Sequence, residues 1–100
     1  MTEATGAESM EAGVTRTEIL ELANSYITQD RAATHGDAED SFKTISVFWS
    51  AYLDHPVTPQ DVCAMMVLLK MARVKNNPDH LDNWVDTAGY SAIGGSMVSK

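Results

Sequence analysis

Residues 58–75, TPQDVCAMMVLLKMARVK, open with helix-start signals and then turn apolar on every side. Thr58 stands where an N-cap hydroxyl is useful, and Pro59 occupies the first helical position, where the missing N–H is no loss. Asp61 lies in the first turn, where its charge suits the positive end of the helix dipole. The run VCAMMVLLKMA that follows contains one charge, Lys70, and leaves no solvated face. A helix of that kind is surrounded, by the rest of its domain or by a second copy of the chain, and it predicts an all-α bundle.

Three further helices are legible around it. In about residues 16–29, Thr15 and Glu18 have capping-box spacing, and Ile19, Leu20, Ala23, Tyr26 and Ile27 form a stripe at helical period. In about residues 38–53, Phe42, Ile45, Phe48, Trp49 and Tyr52 recur three or four apart and are expected to pack inward. Residues 76–78, Asn-Asn-Pro, end the apolar helix, and a fourth runs over about 79–93, with Gly94 and Gly95 as its terminus. The fold expected is a four-helix bundle-like domain over residues 15–95 with a short C-terminal tail at 96–100.

The first 14 residues hold three glutamates, no basic residue and no aromatic, so they are expected to remain a disordered tail. The formal charge of −7 argues against binding a nucleic-acid backbone, which needs a surplus of lysine and arginine. Without the tail, seven basic residues still face eleven acidic ones. A single cysteine, Cys63, can form no internal disulfide and fits a reducing compartment. No apolar stretch approaches the roughly 20 residues that cross a bilayer, and the start lacks a signal-peptide pattern, so the expectation is a cytoplasmic protein without a membrane partner. A domain this small with a helix apolar all round is expected to self-associate, through the third and fourth helices, where Ala88, Gly89, Ala92 and Gly95 permit close approach.

The fourth helix, DHLDNWVDTAGYSAIGG, carries acids where packing residues are expected. Asp82 and Asp86 are four apart and share a face with Tyr90, and Asn83 stands beside them. Lys70 and Arg73, three apart in the last turns of the preceding helix, can neutralise those acids across the helix interface. Alternatively, Asp82 and Asp86 hold a divalent cation while Lys70 and Arg73 hold phosphates. Magnesium suits the second reading because it takes one or two carboxylates and completes its octahedron with water and phosphate oxygens. Asp37 and Asp40, three apart at the start of the second helix, repeat the acidic pattern, with capping as the competing role. Arg31 and His35 precede them in a loop. Arginine suits bidentate contact with phosphate, and histidine can donate to phosphate or carry a proton. If the two acids await a cation they repel one another, and Asp86→Asn is then expected to leave the protein as stable as before.

Arg31, His35-Gly36-Asp37, Phe42, residues 49–53 (WSAYL), Thr58-Pro59, Asp61-Val62, Lys70, Arg73, Asn77-Pro78, His80, Asp82-Asn83-Trp84, Asp86 and Gly89-Tyr90 fall in an order that resembles a group of small, mostly phage-encoded proteins of unassigned function described as MazG-like. The resemblance covers about residues 17–95. It implies the all-α nucleoside triphosphate pyrophosphohydrolase fold, host-cytoplasmic location, assembly as dimers or tetramers, and magnesium-dependent cleavage of a (deoxy)nucleoside triphosphate to monophosphate and pyrophosphate. Such enzymes carry Glu-x-x-Glu followed by Glu-x-x-Asp. The counterparts here are Asp37-x-x-Asp40 and Asp82-x-x-x-Asp86, shorter acids with a wider second spacing and a whole helix between them. On that reading Asp82 and Asp86, with Asp37 or Asp40, ligate metal; Lys70 and Arg73 hold phosphates; Asn83 and Tyr90 contact sugar or base. The competing expectation is a non-catalytic protein that engages a host or phage protein, or sequesters a nucleotide, for example to counter a defence system.

Overall fold

The computed structural model describes residues 13–30 and 38–98, with side chains 13–28 in the first stretch. The predicted tail and the loop bearing Arg31, His35 and Asp37 lie outside the described residues, apart from the exposed Gly13 and Val14. Four helices account for the described secondary structure, and no strand occurs among these residues. They are α1 (Arg16–Ser25), prolonged by a π-helical turn at Tyr26–Asp30, α2 (Ala38–Leu53), α3 (Pro59–Asn76) and α4 (Leu81–Ser96).

Both predicted helix starts are built as reciprocal caps. The Glu18 N–H donates to Thr15 Oγ1 at 3.1 Å, and the Thr15 N–H donates to Glu18 Oε1 at 2.7 Å. At α3 the Asp61 N–H donates to Thr58 Oγ1 at 3.0 Å, and the Thr58 N–H donates to Asp61 Oδ2 at 2.9 Å. Each cap satisfies backbone N–H groups that a helix start otherwise leaves without partners. Toward the end of α1 the Thr28 hydroxyl donates to the Asn24 carbonyl at 2.6 Å, at the point where the helix widens into the π turn. The helix expected over residues 16–29 is therefore present, but its last turn is wider than an α-helix.

The packing order is α1 on α4, α4 on α3, and α3 on α2, with the α3–α4 pair the most extensive. Phe42, Val62, Cys63 and Ile93 form the buried centre, with Ile27, Ile45, Trp49, Met66 and Tyr90 packed around them. Glycines set the helix spacing on two sides of α4. A Cβ on Gly94 would lie 3.0 Å from Cys63 Cβ on α3, and one on Gly89 would lie 3.2 Å from Ile27 Cγ2 at the π turn. Gly94 is thus inside the helix, not its terminus, and α4 continues to Ser96 because Gly94 is held between turns by packing. The Gln60 side-chain amide fastens the same place by donating to the Gly94 carbonyl at 3.0 Å. At the other end α4 starts at Leu81, two residues later than expected. Asp79 sits in the preceding turn, which the Trp84 indole N–H clamps by donating to the Pro78 carbonyl at 2.7 Å.

Two packing expectations change. The aromatic stripe of α2 divides: Phe42 is buried and Ile45 and Trp49 pack on the core, but Phe48 is 67% and Tyr52 89% exposed. The covered arc is centred near Phe42 and Trp49 and reaches the buried Ser46, so Phe48 and Tyr52 fall at its far edge. Its own domain covers only part of the apolar α3, because Met65, Leu68, Leu69 and Met71 remain exposed. Gly89, expected in a contact between copies, is instead buried against α1.

Candidate ligand site on the fourth helix

Antiparallel packing of α4 on α3 brings Lys70 to Asp86. The Lys70 Nζ lies 3.0 Å from Asp86 Oδ2, with side chains 13% and 32% exposed. One of the two cross-helix neutralisations open to the sequence is therefore made. Arg73 and Asp82 are exposed and form no ion pair with a described residue.

On the other side of α4, Asp86 lines a small cavity against α1. Its walls are Ala23, Tyr26, Ile27, Val85, Asp86, Gly89, Tyr90 and Ile93, and its volume is about 60 Å³. That space takes water molecules or the end of a ligand group, not a whole nucleotide. Tyr90 is fixed by a tilted contact with Phe42 of α2, ring centroids 6.0 Å apart. The π turn contributes Tyr26 and Ile27, and π turns recur at functional sites. Neither Tyr26 nor the turn was singled out from sequence as a site element; the signal was the apolar stripe, which reads equally as core.

One turn before Asp86, Asn83 is 6% exposed, and its carboxamide makes no hydrogen bond to a described residue. Its backbone is satisfied, the N–H donating to the His80 carbonyl at 3.2 Å and the carbonyl accepting from the Thr87 hydroxyl at 2.8 Å. A buried amide without partners is costly, by about 1–3 kcal/mol, and such groups occur where a water, ion or ligand completes them. The buried Ser46 offers the contrast, since its hydroxyl donates to the Lys43 carbonyl at 2.7 Å.

The remaining predicted residues divide by location. Asp40 is exposed in the first turn of α2. Asp37, Arg31 and His35 lie outside the described residues. Asp86 is paired with Lys70, Asp82 faces solvent, and no group of three or more His, Cys, Asp or Glu among the described residues could hold a metal ion. Cys63 offers no alternative chemistry, because burial pushes its thiol up from the ordinary value of 9.0. No helix among the described residues is long and apolar enough to cross a membrane.

Residues 18–98 match a family described as a domain of unknown function, DUF6378. Over 76 residues, 75% of this chain, the sequence is 42% identical to the Gene 55 protein of Mycobacterium phage L5. It is 38% identical over 73 residues, 73% of this chain, to the Gene 55 protein of Mycobacterium phage D29. The aligned parts cover 49% and 48% of those two proteins, so the chain spans about half the length of the phage relatives it matches. No solved structure matches the chain. The match covers all of α2, α3 and α4 and most of α1, and the chain belongs to the DUF6378 family, a phage-encoded family of unknown function.

Proposed function

We propose that the protein binds a nucleotide at the α4 face formed by Asp82, Asn83, Asp86 and Tyr90, with Lys70 contributing its charge from α3, and that it is related in chemistry to the MazG-like pyrophosphohydrolases. The observation that carries this reading is the buried Asn83 carboxamide, without a hydrogen-bond partner among the described residues, one turn from the Lys70–Asp86 pair. A domain of this size has little stability to spare for an orphaned amide, and function is the common reason for retaining one. In this proposal Lys70 and Arg73 attract the phosphates, and Asn83 and Tyr90 contact sugar or base. Arg31 and His35, which lie outside the described residues, are proposed to add phosphate contacts. Asp82 and Asp86 are the carboxylates nearest such a ligand. With one of them already paired, they do not make a magnesium site by themselves, so no catalytic step is assigned to the ion, Asp37 and Asp40 included.

A second reading has its own support: the protein acts by engaging a host or phage protein. The outward side of α2 exposes Val47 (65%), Phe48 (67%) and Tyr52 (89%), and exposed aromatic clusters are common in protein interfaces.

One screen separates the two. The purified protein is incubated with each nucleoside and deoxynucleoside triphosphate and magnesium, with pyrophosphate release and thermal shift read together. Release lost on Asp86→Asn supports the pyrophosphohydrolase. A thermal shift without release supports nucleotide sequestration. Neither signal from any nucleotide leaves the protein-binding reading.

A further inference from the structure

The exposed side of α3 has a symmetry that the proposed nucleotide site does not use. At 100° per residue, Asp61, Ala64, Met65, Leu68, Met71, Ala72 and Lys75 all fall within about 60° of Leu68 around the helix. All seven are exposed, while Val62, Cys63 and Val74 point into the domain. Read outward from Leu68, the stripe is a chemical palindrome: methionines at three residues on either side, alanines at four, and at seven an aspartate on one side and a lysine on the other.

We propose that this stripe is the contact surface of a twofold homodimer in which α3 packs antiparallel against α3 of a second copy, with Leu68 on the axis. Antiparallel pairing about Leu68 sets Met65 opposite the partner's Met71, Ala64 opposite the partner's Ala72, and Asp61 opposite the partner's Lys75. A closed twofold contact requires one patch to be complementary to itself, and here both shape and charge meet that condition. The alanines let the helices approach, the methionines and leucine fill the space between them, and each end closes with an opposite-charge pair. Asp61 keeps acceptor capacity for this beyond its capping bond to the Thr58 N–H. The chain's charge of −7 disfavours association of two copies, yet the stripe carries one charge of each sign and is locally neutral. The stripe runs about 21 Å, four helical turns, which is short for an interface and places the dimer among weak associations. It is the second copy, not an unrelated apolar peptide, that the paired terminal charges select.

Sedimentation velocity of the full chain between about 5 and 200 μM tests this. The wild type is expected to pass from monomer to dimer across the range. Leu68→Glu places two like charges on the axis and should give a monomer throughout, with unchanged helical circular dichroism because Leu68 is 68% exposed. Lys75→Glu, which faces the partner's Asp61 with a like charge, should raise the dissociation constant at least tenfold. A wild type that stays monomeric at 200 μM overturns the proposal. So does a dimer that survives Leu68→Glu, or one that is abolished by Phe48→Glu on α2 but not by Leu68→Glu.

Discussion

Lys70 Nζ and Asp86 Oδ2 stand 3.0 Å apart and tie the later turns of α3 to the middle of α4. Asp86→Asn removes the anion but leaves the ammonium, whose side chain is only 13% exposed. Partial exposure puts the effect between that of a surface pair and that of a buried one, a loss of about 1–2 kcal/mol. Chemical denaturation of wild type, Asp86→Asn, Lys70→Met and the double variant gives the coupling energy directly. This reverses the neutral outcome expected if Asp82 and Asp86 merely repelled one another, because the nearest observed partner of Asp86 is a cation.

Asn83→Leu replaces a buried, unpartnered amide with an apolar side chain of similar size. Since no described partner is lost, folding stability should hold or rise by up to about 2 kcal/mol. Nucleotide-induced thermal shift should disappear in the same variant. Loss of stability instead would place Asn83 among ordinary structural amides.

The three glycines of α4 should respond to alanine in a fixed order. Gly95→Ala meets nothing within 4 Å and should gain from helix propensity, up to about 1 kcal/mol. Gly89→Ala meets Ile27 Cγ2 at 3.2 Å and should be near neutral or mildly destabilising. Gly94→Ala meets Cys63 Cβ at 3.0 Å, an atom that cannot move without its backbone, and should be the most destabilising. Melting temperatures of the three variants check the order.

The Cys63 thiol is held in its protonated form by burial, its ionisation pushed upward from the ordinary 9.0. Because the folded thiol holds its proton to higher pH than the unfolded one, ionisation favours the unfolded chain, and the effect begins where the unfolded thiol starts to ionise. Below pH 8 the thiol is protonated in both states and its contribution is constant. As pH rises through 9.0 the unfolded chain releases this proton first, and stability falls. Urea midpoints from pH 7 to 10 should be flat and then decline, less steeply in Cys63→Ala, and thiol reagents should label the native protein slowly.

The helices were legible because their ends are written in local chemistry: Thr15 with Glu18 and Thr58 with Asp61 give capping contacts that depend on no distant residue. Lys70 and Asp86 were legible as partners because both interrupt apolar helices that had to meet. What local pattern did not reveal depends on which neighbour covers which arc. Phe48 and Tyr52 share the period of Phe42, and only the placement of α2 on α3 leaves them outside. The extension of α4 through Gly94 likewise follows from its contact with Cys63, since glycine reads locally as a terminator. Asn83 was singled out as a polar residue beside Asp82, but its lack of a partner is visible only after folding.

The proposed α4 site is tested most directly by following the Asn83 side-chain amide in a ¹⁵N-labelled sample during titration with a nucleoside triphosphate and magnesium. The account predicts saturable shifts of the Asn83 carboxamide signals together with the backbone signals of Asp86, Gly89 and Tyr90. A titration that leaves these signals unmoved for every nucleotide, or that moves only Phe48, Tyr52 and their neighbours on α2, would contradict it.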